Sequence, residues 1–426
     1  MPDAIGRPRV VILGGGFGGI SAARALGHEN VAVTVIDRTN HFTFQPLLYQ
    51  VATAGLSPSD ITAPIRWILR HQRNTEVLMG EVREIDPARQ VVRIDDTLRE
   101  IPYDYLIIAT GSRHAYFGHN EWEPYAPGLK AIEDASEIRR RFLLAFEKAE
   151  KATDDRERDE LLTFVIVGGG PTGVELSGAL PYIARKALAP DFRRIDTRRT
   201  RVILVEAGSR ILPTFPEDLA ARATRDLQDL GVEVRVNSLV TGVDAEGVVI
   251  GAETIRARTA FWAAGNLASP LGSLLDVPHD RAGRIEVNPD LSAPGHPNIF
   301  IVGDLVALSQ DGRLVPGVGP AAIQEGKSAA KNILRDLRRE PRKPFRYWNK
   351  GDLATIGRSR AIADLGWIRF SGWFAWMFWL FVHIMYLVGF RNRIVVLIEW
   401  AYAYFTSQAG VRLITDVERY KDPKAG

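Results

Sequence analysis

Arg9-Val10-Val11-Ile12-Leu13-Gly14-Gly15-Gly16-Phe17-Gly18-Gly19 is the stretch that decides the fold. The apolar run ending at Gly14 reads as a buried strand of a parallel sheet, and a helix follows from about Gly18 to Leu26. The glycines fit the spacing G-x-G-x-x-G. The first permits a tight turn, the second lets backbone approach a diphosphate, and the third lets the helix pack close to the strand. The phosphates then settle at the positive end of the helix. A second strand, Val31 to Ile36, is closed by Asp37, 23 residues after Gly14, where an acid can accept bonds from ribose hydroxyls. A glycine-rich turn alone would carry little weight; with both flanks and the acid in place the stretch is a dinucleotide fingerprint.

The same unit occurs again. Gly168-Gly169-Gly170-Pro171-Thr172-Gly173 follows the apolar run Leu162 to Val167. Pro171 suits the first helical position, where its missing N–H would be unpaired anyway. Glu206 ends the next strand, 38 residues after Gly168, a gap lengthened by the polar insert from Arg185 to Thr200. An acid here bonds a ribose 2′-hydroxyl and repels a 2′-phosphate, so NADH is favoured over NADPH, with Arg210 weakening the exclusion slightly. Glu175 is expected in the first turn of the following helix, either as a complement to the helix dipole or beside the nicotinamide.

Further strands at Tyr105 to Ala109, Arg201 to Val205, Val232 to Val236 and Asn298 to Val302 alternate with helical stretches, including a charged one over 136–160. The fold class is therefore α/β with parallel sheets, built on an internal duplication. Two dinucleotide sites imply two cofactors, and NADH with a flavin makes a hydride pair. Asp304, after Val302-Gly303, suits a flavin ribityl contact or a plain strand-end turn.

Composition narrows the chemistry. The 426 residues are 46% hydrophobic and 25% charged with net charge +3, which suits a globular protein of two or three domains and gives no sign of a nucleic-acid partner. There is no cysteine, so disulfide reductases and sulfide oxidases of similar build are excluded. The eight histidines show no ligand spacing, and no metal is expected. The first strand begins within about ten residues with no apolar signal region before it, so the cytoplasmic side is expected.

The tail differs in kind. Phe370 to Phe390 is 21 residues with no charge, Arg391 and Arg393 follow, and a second apolar stretch runs from Ile394 to Phe405. Five of the nine tryptophans fall between 367 and 400. Three structures suit it: an anchor lying on the membrane, a spanning helix, or a buried hairpin. Tryptophans spread along the segment favour the first.

Together the two loops, Val302-Gly303-Asp304, Trp262-Ala263-Ala264-Gly265, the aromatic tail and above all Phe44-Gln45-Pro46-Leu47-Leu48-Tyr49-Gln50-Val51-Ala52 resemble the type II NADH:quinone oxidoreductases. The resemblance covers essentially the whole chain. It implies two Rossmann-like domains, an FAD domain over 1–125 and 285–340 with an NADH domain over 126–284 inserted, and a helical region over 341–426 that anchors to the membrane and completes a quinone entrance. FAD, bound non-covalently, would be held by Gly14, Gly16, Phe17, Gly18, Gly19, Asp37, Arg38, Val82, Thr110, Gly111, Asp304 and Ala322, with Pro46 and Leu47 against the flavin. NADH would be held by Gly168, Gly170, Pro171, Thr172, Gly173, Glu206, Ala264 and Gly265, with Glu175 at the reacting end. Pro320, Ala321, Gln324 and Lys350 would lie toward the quinone, Gln324 in a catalytic role. Family members often carry a glutamine where Pro320 stands, so the hydrogen bonding of the quinone head departs from the pattern here; Lys350 reads equally as a solvated surface lysine. The implied partners are a membrane quinone and an anionic bilayer surface, at the cytoplasmic face of the cell membrane, with a homodimer left open. Two alternatives stand beside this: a ferredoxin reductase-like flavoprotein serving an iron–sulfur carrier, and a non-catalytic NADH sensor at a membrane surface.

Overall fold

The computed structural model describes residues 6–95, 99–406 and 410–414. It divides into two compact units, one of residues 1–43, 63–113 and 266–350, the other of residues 44–62, 114–265 and 351–426.

The first unit is centred on a six-stranded sheet in the order Ser292–Ala293, His296–Ile301, Tyr105–Ile108, Arg9–Leu13, Ala32–Asp37, Thr75–Met79. All neighbours run parallel except the outermost pair. Arg9–Leu13 is paired on both sides, with Ile12 level with Val35 and Ile107. Val10 to Leu13 are buried throughout, and a strand with no solvent face reads as an unbroken apolar run. Helices Phe17–Leu26 and Gly319–Leu337 pack along each other through glycine. A Cβ on Gly326 would lie 2.2 Å from the carbonyl oxygen of Gly18.

The second unit repeats the plan with four parallel strands in the order Val232–Arg235, Arg201–Val205, Thr163–Val167, Thr259–Trp262. Helix Pro171–Tyr182 leaves the central strand and continues as a π-turn over Ile183–Ala187. Pro181 lies in its last turn, and a residue without an N–H loosens the ladder there. The charged stretch expected as one helix over 136–160 is two, Ile132–Lys151 and Asp155–Leu161. Asp154 starts the second by accepting the N–H groups of Arg156 and Glu157.

Beyond residue 351 lies an antiparallel sheet that the sequence reading does not anticipate: Asp352–Gly357, Arg360–Asp364 and Arg369–Ser371. It sits on helix Pro171–Tyr182 so closely that a Cβ on Gly178 would be 1.6 Å from the carbonyl oxygen of Ile356. Residues 351–406 and 410–414 group with the compact second unit.

The apolar run over 370–390 is likewise not one helix. Its first residues finish the strand Arg369–Ser371, helix Trp373–Tyr386 follows, and the chain turns at Gly389 into helix Phe390–Thr406. Ala361, Ala363 and Ala375 form the small-residue contact that lets the first helix lie close on the sheet. Arg393 donates to the carbonyls of Met385 (2.9 Å) and Leu387 (2.8 Å), a cation at a helix C-terminus. Trp373–Tyr386 has 14 residues, about 21 Å at ~1.5 Å per residue, against a hydrocarbon core of ~30 Å. No helix among the described residues is long and apolar enough to cross a membrane.

The contact at Gly178 yields a prediction. A side chain there meets backbone, which cannot rotate aside, and overpacking typically costs ~1–3 kcal/mol or more. Gly178→Val should lower Tm in scanning calorimetry by several degrees; an unchanged Tm would show that the sheet can lift off the helix.

Candidate functional site

The first glycine loop is built as its spacing requires. Gly14 has φ +98°, a conformation that favours glycine, and its N–H donates to Ile36 O at 2.8 Å. A Cβ on Gly19 would lie 1.9 Å from Gly14 O, so the helix starts backbone against backbone. Gly16 has nothing within 4 Å of its Cβ position, leaving open the side from which a diphosphate would approach. The helix has no side-chain cap and no acid in its first turn. Asp37 accepts from Gly15 N at 2.6 Å through one oxygen, and from Thr39 N (2.7 Å) and Oγ1 (2.8 Å) through the other. Both oxygens are oriented and keep lone pairs for a ribose. Arg38 beside it is exposed, and Val82 opens the strand Val82–Asp86.

The same unit brings Thr110, Gly111, Asp304 and Ala322 to elements bordering this loop. Thr110 follows strand Tyr105–Ile108, and its hydroxyl oxygen is buried with no hydrogen-bond partner. Asp304 accepts from Ser112 Oγ at 2.5 Å. The carbonyl oxygen of Ala322 would be 3.4 Å from a Cβ on Gly18. Sequence reasoning missed Glu325, which is 2% exposed and accepts the N–H of Gly303 at 2.6 Å. Burial pushes its carboxyl up to about 8 against that hydrogen bond, and the charge of Asp304 adds to the rise. The signal was present: Glu325 shares its helix face with Ala321, Ala322, Ala329 and Ala330, all buried. A charge on an apolar face needs a partner.

The second loop reproduces the first. Gly168 has φ +110°, and a Cβ on Gly173 would be 1.9 Å from Gly168 O. Gly170 has nothing within 4 Å of its Cβ position, and Pro171 opens the helix with Thr172 after it. Glu206 accepts from Gly169 N and Gly208 N, both at 2.6 Å. Arg210 donates to Pro213 O at 3.1 Å, so its guanidinium is engaged away from Glu206. Ala264-Gly265 follows strand Thr259–Trp262, whose Trp262 donates its indole N–H to Ala115 O at 2.9 Å.

Glu175 is not in the first turn. The helix begins at Pro171, its first turn contains no acid, and Glu175 is its fifth residue, which removes the ground for the helix-dipole reading. Burial pushes its carboxyl up to about 8, opposed by a bond from the backbone of Thr355. Tyr49 is also buried; its phenol is held above the ordinary range by burial first and by the charge of Glu175 second. Pro46 and Leu47 lie on the 3-10 turn Gln45–Leu47 of this unit, with Leu47 fully buried.

The residues expected toward the quinone do not converge on an open group. Gln324 donates from Nε2 to Pro320 O and Trp348 O, each at 3.1 Å, and accepts from Trp348 N at 3.0 Å. Its amide clasps the chain at Trp348. Pro320 lies in the first turn of helix Gly319–Leu337, Ala321 is buried, and Lys350 Nζ lies 5.4 Å from the Trp348 ring. Among the described residues no cluster of His, Asp or Glu could hold a metal.

The donor sets fit two dinucleotides. Each unit presents an open glycine at a bare helix start and an acid oriented at the end of the neighbouring strand, and the first adds the unpartnered hydroxyl of Thr110. The family described as pyridine nucleotide-disulphide oxidoreductase matches residues 8–326, and the NDH2 C-terminal domain matches residues 349–408. The type II NADH:quinone oxidoreductase NdhA of Mycobacterium tuberculosis is 46% identical, over 97% of this chain and 91% of the relative. Ndh of the same organism is 43% identical, over 97% and 92%. The structure of NDH2 from Plasmodium falciparum in complex with NADH shares the fold, with a TM-score of 0.87 over 94% of this chain and 99% of that one at 22% identity. With no cysteine for disulfide chemistry, and with relatives matched over nine-tenths of their length, the chain belongs to the type II NADH:quinone oxidoreductases.

Proposed function

We propose that the first unit holds FAD and the second holds NADH, and that the enzyme oxidises NADH and delivers the electrons to a quinone. The observation that carries this is the duplicated loop, each copy with its own oriented acid and open glycine. FAD, when bound, supplies the redox chemistry, a ring able to take a hydride and give up two electrons. The protein supplies position and charge. Gly16 and Gly170 admit the diphosphates, and Asp37 and Glu206 orient the riboses. Thr110 and Asp304 meet the flavin side, and Glu325 fixes the Gly303-Asp304 turn by accepting the Gly303 N–H. Glu175 stands at the reacting end of NADH as a half-buried residue whose carboxyl is pushed up to about 8. Purified protein loaded with FAD should oxidise NADH with a soluble quinone; turnover only with an iron–sulfur carrier, or none with any acceptor, would sink this assignment.

The tail is proposed as an anchor lying on the bilayer. Helix Trp373–Tyr386 is apolar all round but buries only Ala375, Trp379 and Ile384, and Trp373, Phe374, Met377, Phe381 and Met385 stay exposed along one stripe. Phe390, Ile394, Leu397, Ile398 and Phe405 do the same on the next helix. Phe374 is 73% and Phe405 83% exposed, a load of aromatic surface that water does not favour. Arg369 and Arg391 are exposed beside these stripes and suit anionic headgroups. The cytoplasmic face is the proposed side, because NADH is a charged cytoplasmic metabolite that does not cross a bilayer.

Three outcomes check these assignments. A hydrogen bond to a charged group is worth ~1.5–3 kcal/mol, about 10- to 100-fold; Glu206→Ala should reduce the NADH-over-NADPH ratio of kcat/KM by about tenfold, and an unchanged ratio would remove Glu206 from the ribose site. Glu325 has its folded pKa raised from an ordinary ~4.3 to about 8, so the folded chain holds a proton the unfolded chain releases, and stability falls as pH rises through that window. Glu325→Gln keeps the acceptor for Gly303 and should flatten the loss of Tm between pH 6 and pH 9; an identical slope would mean that Glu325 is ionised in the fold. Finally, Phe374→Glu with Phe381→Glu should abolish sedimentation with phosphatidylglycerol vesicles while FAD content stays full. Full sedimentation would place the membrane contact elsewhere.

A further inference from the structure

A chain of contacts in the second unit runs from the last helix to Tyr49, on a helix packed against the one that carries Glu175, and the function proposed above makes no use of it. Trp400, on helix Phe390–Thr406, donates its indole N–H to Gln50 Oε1 at 2.7 Å. Gln50 in turn donates from Nε2 to the hydroxyl oxygen of Tyr49 at 2.9 Å. Trp379, 1% exposed, braces the chain: its ring meets Tyr49 edge-on at 6.4 Å, lies 5.9 Å from Trp400 and stacks on His383 at 4.0 Å. Asn392, on the same last helix, donates to Thr62 O at 2.9 Å and Ser59 O at 3.4 Å. One helix thus grips the 48–62 segment at both ends.

Tyr49 lies on helix Leu48–Ala52, which packs against the helix that carries Glu175. The charge of Glu175 acts on the Tyr49 phenol across the packing of the two helices, and the backbone of Thr355, on strand Asp352–Gly357, donates to the Glu175 carboxyl. His383, one further element away, donates from Nδ1 to Trp379 O at 2.7 Å and packs edge-on to Phe44. Burial pushes it down to about 4, so it brings no charge at neutral pH.

We propose that Gln50 is a positioning residue for the reaction: by bridging Trp400 and Tyr49 it ties the seating of the last helix to the surroundings of the Glu175 carboxyl. The idea rests on Glu175 standing at the reacting end of NADH and on the tail as the bilayer anchor. Held by Gln50, the Tyr49 ring limits the water that reaches the half-buried Glu175, and its carboxyl stays above the ordinary range. Released, it admits water, and the carboxyl moves toward the ordinary range. The amide is needed because it accepts at one end and donates at the other; no aliphatic side chain of that size does both.

The test uses the full FAD-loaded chain as Gln50→Leu, Trp400→Phe and the double variant. Trp400→Phe keeps an aromatic ring in place and serves if Gln50→Leu fails to fold. The infrared band of the protonated Glu175 carboxyl, assigned by its loss in Glu175→Gln, is followed against pH beside the pH profile of quinone turnover. Each single variant should move the midpoint down by about one unit or more, and the double variant no further than the larger single, because one chain is cut twice. A midpoint unmoved in a folded single variant, or single shifts that add in full, overturns the proposal. Vesicle sedimentation of the wild type separates the two ideas: its failure would remove the anchor, while the carboxyl titration still decides the role of Gln50.

Discussion

At each glycine loop the carbonyl oxygen of the first glycine lies 1.9 Å from where the last glycine's Cβ would stand, so strand and helix meet as bare backbone. Everything else about the two sites follows from that contact. It brings the start of the helix to the end of the sheet, where unpaired N–H groups and the dipole favour a diphosphate. It also brings the N–H of Gly15 and of Gly169, the residue after the first glycine in each loop, to 2.6 Å from the acid on the neighbouring strand, Asp37 in one unit and Glu206 in the other. The acid is thereby oriented before any nucleotide arrives, which lowers the ordering cost of binding.

The tail shows how an apolar sequence can serve two solvents. A helix that is hydrophobic all round is usually buried all round. Here one face meets the sheet through alanines and the opposite face does not, so the same composition provides both a packed seam and an exposed stripe. The break at Gly389 and the capping of the first helix by Arg393 keep each piece short enough to lie along a surface.

The glycine loops, their acids and the α/β class were legible because their signals are local: a strand, a turn and a helix start within about ten residues. Glu325 was harder, since its role depends on a partner 22 residues away, and only its place among alanines betrays it. The sheet over 352–371 escaped because Ala354, Ala361 and Ala363 dilute its apolar residues, so neither Asp352–Gly357 nor Arg360–Asp364 reads as a continuous apolar run. The helix start at Pro171 was read correctly, but Glu175 is its fifth residue and lies past the first turn, which leaves the reading beside the nicotinamide and not the dipole one. At Gln324 the residue type suggests a ligand contact, and the fold adds what the sequence could not show, an amide bonded to the backbone of Trp348.

The contact between Gly178 and Ile356 has a consequence for inheritance. The helix that begins at the NADH loop and the sheet that carries the tail meet backbone against backbone at Gly178 and Ile356, so a side chain gained at that point must be answered by a shift of the other surface. A tail grafted from a distant relative would have to bring its own helix 171–182 with it. The end of the chain is therefore not an exchangeable module, however different its composition; it is one hereditary block with the dinucleotide-binding domain to which it is fused.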